Sequence, residues 1–412
     1  MTAKLSTLVA FYRRRPWGYW LWALLALILG TVTGEWLNED LAWIGLKYRA
    51  YGALESLRPQ SVPKWTALVL IGDEEYWKGE LARRVPVKRD YLAKLLTALT
   101  PCQPMAVGID FDLRSPTIDG SLPDNADYAA ETAALKTAIE RASARFPIVL
   151  PVSFRVDKSG FEASVLDGVG GGERVTRGFI AMPFDYRQVP TIDRLADGTT
   201  VPSFALALVR QARLEIGGSY VRRDPVDFPF GSFLPEAAFA PHTLSAGELL
   251  RMGPPAICVR VDHRVVIVAA AWHRSAYQRG ALIDTHDSPI GTVGKYLMHA
   301  NYIESMLENH ILRPLRHATS RAIEIFFALV ALHLLAGSWP FLRKFAAVLG
   351  MTVLLAVATY LGAQNLGVFG DFLFPAFFLV LHAMLDELGE LIETSRKYHE
   401  QVAGHIAGKE KP

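Results

Sequence analysis

"RVVIVAAAWHRSAYQRGALIDTHDSPIGTVGKYLMHANYIESMLENHIL", residues 264–312, sets three kinds of chain in succession. Val265 to Ala271 is apolar without polar alternation, the mark of a strand covered on both faces. Asp284, His286 and Asp287 then cluster with Gly and Pro, as turns and polar sites do. From Tyr296 to Leu312 the residues read as one helix leading straight toward the membrane, for about ten residues past Leu312 the chain enters "AIEIFFALVALHLLAG", which reads as a span. Similar apolar runs recur upstream as "TALVLIGD" (66–73), "MAVGIDFDL" (105–113) and "FPIVLPVSF" (146–154). They alternate with helical stretches such as "DYLAKLLTALT" and "AETAALKTAIERA". The expected fold of this segment is therefore α/β around a mostly parallel sheet, joined to four transmembrane α-helices.

Composition places the chain among membrane proteins: 412 residues, 51% hydrophobic, mean hydropathy +0.19. Lys plus Arg number 43 against 41 Asp plus Glu, so a formal charge of +2 argues against a nucleic-acid partner. The expected spans are residues 17–34, 321–339, 345–364 and 371–388. Trp17, Tyr19, Trp20 and Trp22 edge the first like an interfacial belt, and "TVTGEW" is a poor cleavage site, so an uncleaved anchor is preferred to a signal peptide. Arg13 to Arg15, Arg343 with Lys344, and Arg396 with Lys397 fall on one side, outvoting Arg313, Arg316 and Arg321. Tails 1–16 and 389–412 are thus expected in the cytoplasm, and 35–320 outside it.

Within that outer segment, Asp73, Asp110, Asp112, His273, Asp284, His286 and Asp287 lie just after or at the end of strand-like runs. Carboxyl ends of parallel strands converge on one crevice, which makes these seven a candidate site for a small ligand or ion. The competing expectation is structural, because Asp at strand ends also caps helices and closes turns. "GVGGG" (168–172) lacks the Lys-Ser/Thr of a phosphate loop and reads as a surface loop. No cofactor motif and no nucleophile motif is present, and the identity of any metal stays open; a metal-dependent hydrolase is the enzymatic alternative. Cys102 and Cys258 either form one bridge in an oxidising compartment or are two separate core thiols.

The motifs, in order, resemble the type-two CHASE domain. They are "VLIGDEEYW", "PVKRDYLAKLLTALT", "AVGIDFDLRSPTIDGSLPDNADYA", "RQVP", "VPSFALALVR", "FGSFLPEAAFAPHTLSAGELL" and the segment quoted first. That family is an extracytoplasmic sensor of bacterial cyclases and kinases, with one preceding and three following transmembrane helices. The resemblance implies a multi-pass protein of the bacterial inner membrane, a periplasmic sensor domain over about residues 40–315, and signal transduction rather than catalysis. It names no stimulus. Family members usually feed an output enzyme, whereas only "GELIETSRKYHEQVAGHIAGKEKP" follows the last span, so a separate cytoplasmic signalling protein is expected, or else a non-sensing scaffold role.

Three further expectations concern the membrane unit and the start of the tail. His333, His382 and Asp386 are candidate relay groups within the spans, since ionisable residues at that depth face the bundle interior. Ala346 with Gly350, and Ala358 with Gly362, suit close helix packing in the third span. Leu381, Leu385, Leu388, Ile392, Ser395, His399, Val402 and Ile406 alternate at four and three, the spacing of a homodimeric coiled-coil seam.

Overall fold

A computed structural model describes chiefly residues 62–113, 128–157, 160–164, 174–181, 189–194, 200–216, 227–231, 233–275, 282–308, 311–314 and 341–369, with a few single positions inside these ranges excepted. The chain divides into two compact units, Gly45–Arg313 and the remainder.

The first unit is built on a seven-stranded sheet. Its strands are β1 (Thr66–Ile71), β2 (Ala106–Asp110), β3 (Ile148–Asp157), β4 (Gly160–Ser164), β5 (Val175–Phe179), β6 (Thr243–Ser245) and β7 (Val265–Ala270). They run in the order β6-β1-β7-β2-β3-β4, with β5 also on β3, and every pairing is parallel except β3 with β4. The burial explains the apolar runs. All six residues of β1 and all five of β2 are enclosed, because helices cover both faces.

One layer holds α1 (Arg89–Leu99), α2 (Tyr128–Ser143), α4 (Ala246–Arg251) and α5 (Pro254–Val261); the other holds α3 (Phe204–Ile216) and α6 (Lys295–Leu307). Odd-numbered side chains of β1 and β2, such as Val69 and Ile109, face the first layer. Even-numbered ones, Leu68, Leu70 and Ala106, face the second. Gly108 falls on that second face, where a Cβ would stand 2.5 Å from the Phe204 ring, so α3 approaches β2 as only glycine permits.

Cys102, just past α1, and Cys258 on α5 are bridged, with Cα atoms 5.0 Å apart. The bridge closes a 156-residue separation, which restricts the unfolded chain by on the order of 5 kcal/mol at most. Of the two alternatives open in the sequence, the structure has the bridge.

One expectation fails. The helix begun at Lys295 does not run straight on toward the second span: α6 ends at Leu307, and Ile311–Pro314 forms a strand, β8, antiparallel to Phe230–Gly231. Pro314 lacks an amide hydrogen and pushes Arg313 to extended backbone, so helix cannot continue through this point.

In the second unit the helix α7, Phe341–Leu366, has 26 residues and coincides with the expected third span. Among residues described in full, no stretch of helix is both long and apolar enough to cross a membrane. A Cβ at Gly350 would meet nothing within 4 Å, so no described neighbour packs closely there. The spans at 17–34, 321–339 and 371–388, with His333, His382 and Asp386, lie outside the described residues apart from scattered positions, as do most of the heptad positions and all of loop 168–172 except Val169.

Candidate functional site

The register sets three strand ends side by side. Leu70 of β1 pairs with Ala269 of β7, and Ala269 with Asp110 of β2, so residues just beyond these positions meet at the carboxyl edge. The seven expected residues do not form a single group there. They divide between the two layers.

On the α1 side, Asp73 accepts from the His273 backbone amide at 2.7 Å and pairs with the His273 Nδ1 at 2.8 Å. The next residues, Glu74–Lys78, form a π-helical turn whose Trp77 Nε1 donates to the His273 carbonyl at 3.1 Å. Tyr76 stacks on Trp272 with centroids 4.1 Å apart. Burial pushes the Asp73 carboxyl up, but the hydrogen bonds and charge of His273 hold it below its ordinary value. Both carboxylate oxygens have partners, so this pair has the form of a strand-end clasp.

On the α6 side, Asp110 is the last residue of β2 and is buried in parallel with Ala106. The Lys295 ammonium, at the first position of α6, lies 3.1 Å from Asp110 Oδ1 and 2.5 Å from Asp284 Oδ2. Asp284 is in left-handed backbone (φ 57°), and its carbonyl accepts the Lys295 amide at 2.9 Å, fixing loop to helix. His286 Nε2 stands 3.3 Å from Asp284 Oδ1. His299, one turn after Lys295, lies with Nε2 3.9 Å from Asp110 Oδ2 and its ring edge-on to Phe204. It is 1% exposed, and neither ring nitrogen has a hydrogen bond of full geometry.

The electrostatics of this second group are uneven. Burial raises the Asp110 carboxyl, and the Lys295 charge offsets only part of that. Burial acts likewise on Asp284, yet the His286 hydrogen bond and Lys295 hold it well below the usual range. Lys295 loses solvent but gains two carboxylates, and the net effect is upward. Burial and the neighbouring Lys295 push His299 well below its ordinary value. The group therefore holds a tethered cation between two carboxylates, with a neutral imidazole beside it that has only a weak backbone interaction, to Ile180.

The remaining two expected residues belong to neither group. Asp112 is exposed and acts on Tyr128 of α2. Asp287 accepts from Thr292 Oγ1 at 2.6 Å within the hairpin Thr285–Ser288 and Gly291–Gly294, which is turn closure. Among the described residues, the one grouping with metal-like spacing is Cys102, Cys258 and Asp262, and the disulfide uses both sulfurs.

Lys295 and His299 were not among the expected residues. Their signal was present, since Lys-x-x-x-His places both on one helical face directly after a glycine N-cap. The far end of α6 carries another buried group. Glu304 accepts from the Lys64 and Trp65 amides at 3.1 and 2.9 Å, holding the entry to β1.

No curated protein and no solved structure matches the chain. A family model described as the CHASE2 domain matches residues 21–337, more than half of the 412, and the chain belongs to that family.

Proposed function

We propose that this chain is a membrane-anchored sensor that reads an extracytoplasmic stimulus at the start of α6 and relays it to a cytoplasmic signalling partner. The observation that carries this is α6 itself. Tyr296 to Leu307 is buried without a break, with Lys295 and His299 at the sheet's carboxyl edge and Glu304 at its amino edge. At about 1.5 Å per residue this rod is roughly 20 Å long, enough to carry a displacement across the whole sheet. The domain's own contacts close six residues beyond it, at Arg313.

The relay would continue through four spans with both termini in the cytoplasm, as the charge clusters favour. That α7 is helical over the expected third span supports this. The stimulus is a small polar molecule or ion able to compete for Asp110, Asp284 or Lys295. Metal-dependent hydrolysis is less well supported, because the Lys295 ammonium stands between the two carboxylates where an activating ion would need to sit.

A screen of the full chain in lipid nanodiscs by thermal unfolding, against metabolites and ions, tests the reading. A ligand that binds the native state raises the midpoint by mass action. The expected result is a hit whose effect is lost in Lys295→Met and kept in Asp73→Asn. One feature favours a scaffold instead: a groove of about 670 Å³ among α1, α2, α4 and α5, lined by Ala93, Ala138, Leu249, Leu250, Met252 and Ile257. A constitutive complex with another membrane or extracytoplasmic protein, indifferent to every ligand and to Lys295→Met, would establish that role.

A further inference from the structure

His299 is the least satisfied polar side chain of the α6 cluster. The ring is enclosed, both nitrogens lack full hydrogen bonds, and the apolar ring of Phe204 from α3 packs against it with centroids 5.0 Å apart. The charged and titratable groups around it are Asp110 from β2, Lys295 from α6 itself, Asp284 from the preceding loop and His286 from the hairpin. Asp110 Oδ2 is 3.9 Å away, beyond a hydrogen bond but close enough to attract an imidazolium, and its other oxygen is already held by Lys295. A proton added to the ring in this closed arrangement would put a second buried cation beside Lys295.

We infer that this site responds to protons: acidification favours a state in which the first turns of α6 leave Asp110 and expose the His299 ring. The inference rests on the reading of the start of α6 as the sensing site and names its regulation. The sign follows from linkage. His299 is held below its ordinary value in the closed domain, so the closed state binds fewer protons than the open one. Closure is thus favoured above the open-state value of about 6.5 and lost as pH falls below it. With an open-state ring of ordinary affinity, this one group multiplies the opening constant by up to about thirtyfold from pH ~7.5 to ~5.0.

Asp110 works in the opposite sense, because burial raises its carboxyl and the closed state holds that proton more firmly. The decisive quantity is therefore a difference between wild type and His299→Gln, in which the Asp110 contribution cancels. Glutamine keeps a polar side chain of similar reach without titrating.

The experiment is amide hydrogen exchange over residues 295–303 of the full chain in nanodiscs at pH ~7.5 and ~5.0, corrected for intrinsic exchange. The expected result is an acid-induced opening larger in wild type than in His299→Gln, by up to about thirtyfold, with His273→Gln behaving as wild type. Equal pH dependence in wild type and His299→Gln overturns the inference. Should His299→Gln not fold, wild-type protein alone decides through the His299 ring: protonation together with deprotection of 295–303 as pH falls supports it, and a ring still neutral at pH ~5.0 overturns it. A ligand response that depends on Lys295 alongside a flat pH profile would sink the proton inference and leave the sensor reading in place.

Discussion

The two carboxylates at the carboxyl ends of β1 and β2, the strands on either side of β7, have had opposite fates. Asp73 is matched on both oxygens by one residue, His273, and its surroundings are completed by Trp77, Tyr76 and Trp272. Asp110 is more deeply buried, shares its cation with Asp284, and faces an imidazole that has no full hydrogen bond. Similar residue types at similar positions thus give a closed clasp on one layer and an incompletely satisfied group on the other. Folding favours the first arrangement, since a buried polar atom without a partner costs about 1–3 kcal/mol. An arrangement that keeps such atoms beside a buried cation shared by two carboxylates has the character of a switch.

The comparison breaks most sharply at Lys295. Lys295→Met leaves Asp110 a buried, uncompensated charge and should cost about 3–5 kcal/mol in denaturant unfolding of the full chain. Adding Asp110→Asn should recover most of that loss, because the charge disappears with its partner. A Lys295→Met chain as stable as wild type would mean that the pair contributes nothing.

Next in size is Gly108→Ala, which tests how tightly the α6-side layer is set. Its Cβ would stand 2.5 Å from Phe204 and 2.8 Å from Leu208, so about 1–3 kcal/mol should be lost, and Phe204 carries the disturbance to His299. Asp73→Asn should cost only about 1 kcal/mol, since an amide oxygen still accepts from the His273 amide. A cost equal to that of Lys295→Met would erase the distinction between the clusters.

The smallest effect is expected at Asp284. Asparagine tolerates left-handed backbone, and the side chain is 45% exposed, so Asp284→Asn should cost about 1 kcal/mol or less at neutral pH. Its carboxyl is depressed in the folded state, so its contribution is present above the unfolded value of about 3.9 and lost as pH falls through the depressed folded value. Asp284→Asn should accordingly flatten the stability profile below pH ~4, measured by thermal unfolding.

The sheet was legible because its central strands are enclosed on both faces, so Thr66–Ile71 and Val265–Ala270 carry unbroken apolar runs that little else produces. The carboxyl-edge placement of Asp73, His273 and Asp110 was legible for the same reason. What the sequence hid was sidedness. Asp110 and Asp73 both follow apolar strands, but which layer each enters depends on strand parity and on loops, which a linear pattern does not display. Lys295 and His299 shared a legible helical face but not a legible role, since a lysine opening a helix looks solvated until Asp284 and Asp110 close around it. The break after Leu307 was marked only by Pro314, and the apolar character of "IL" before it favoured reading the helix onward.

The central claim is that the polar group at the start of α6 latches that helix and so sets the state the domain transmits. Hydrogen exchange of the full chain in nanodiscs, comparing wild type with Lys295→Met/Asp110→Asn, in which stability is expected to be recovered, is the direct test. Faster exchange is expected at 296–300 with little change at 304–307, where Glu304 still holds the entry to β1. Unchanged protection at 296–300 in a chain that has lost both partners would contradict it, and would reduce the cluster to packing.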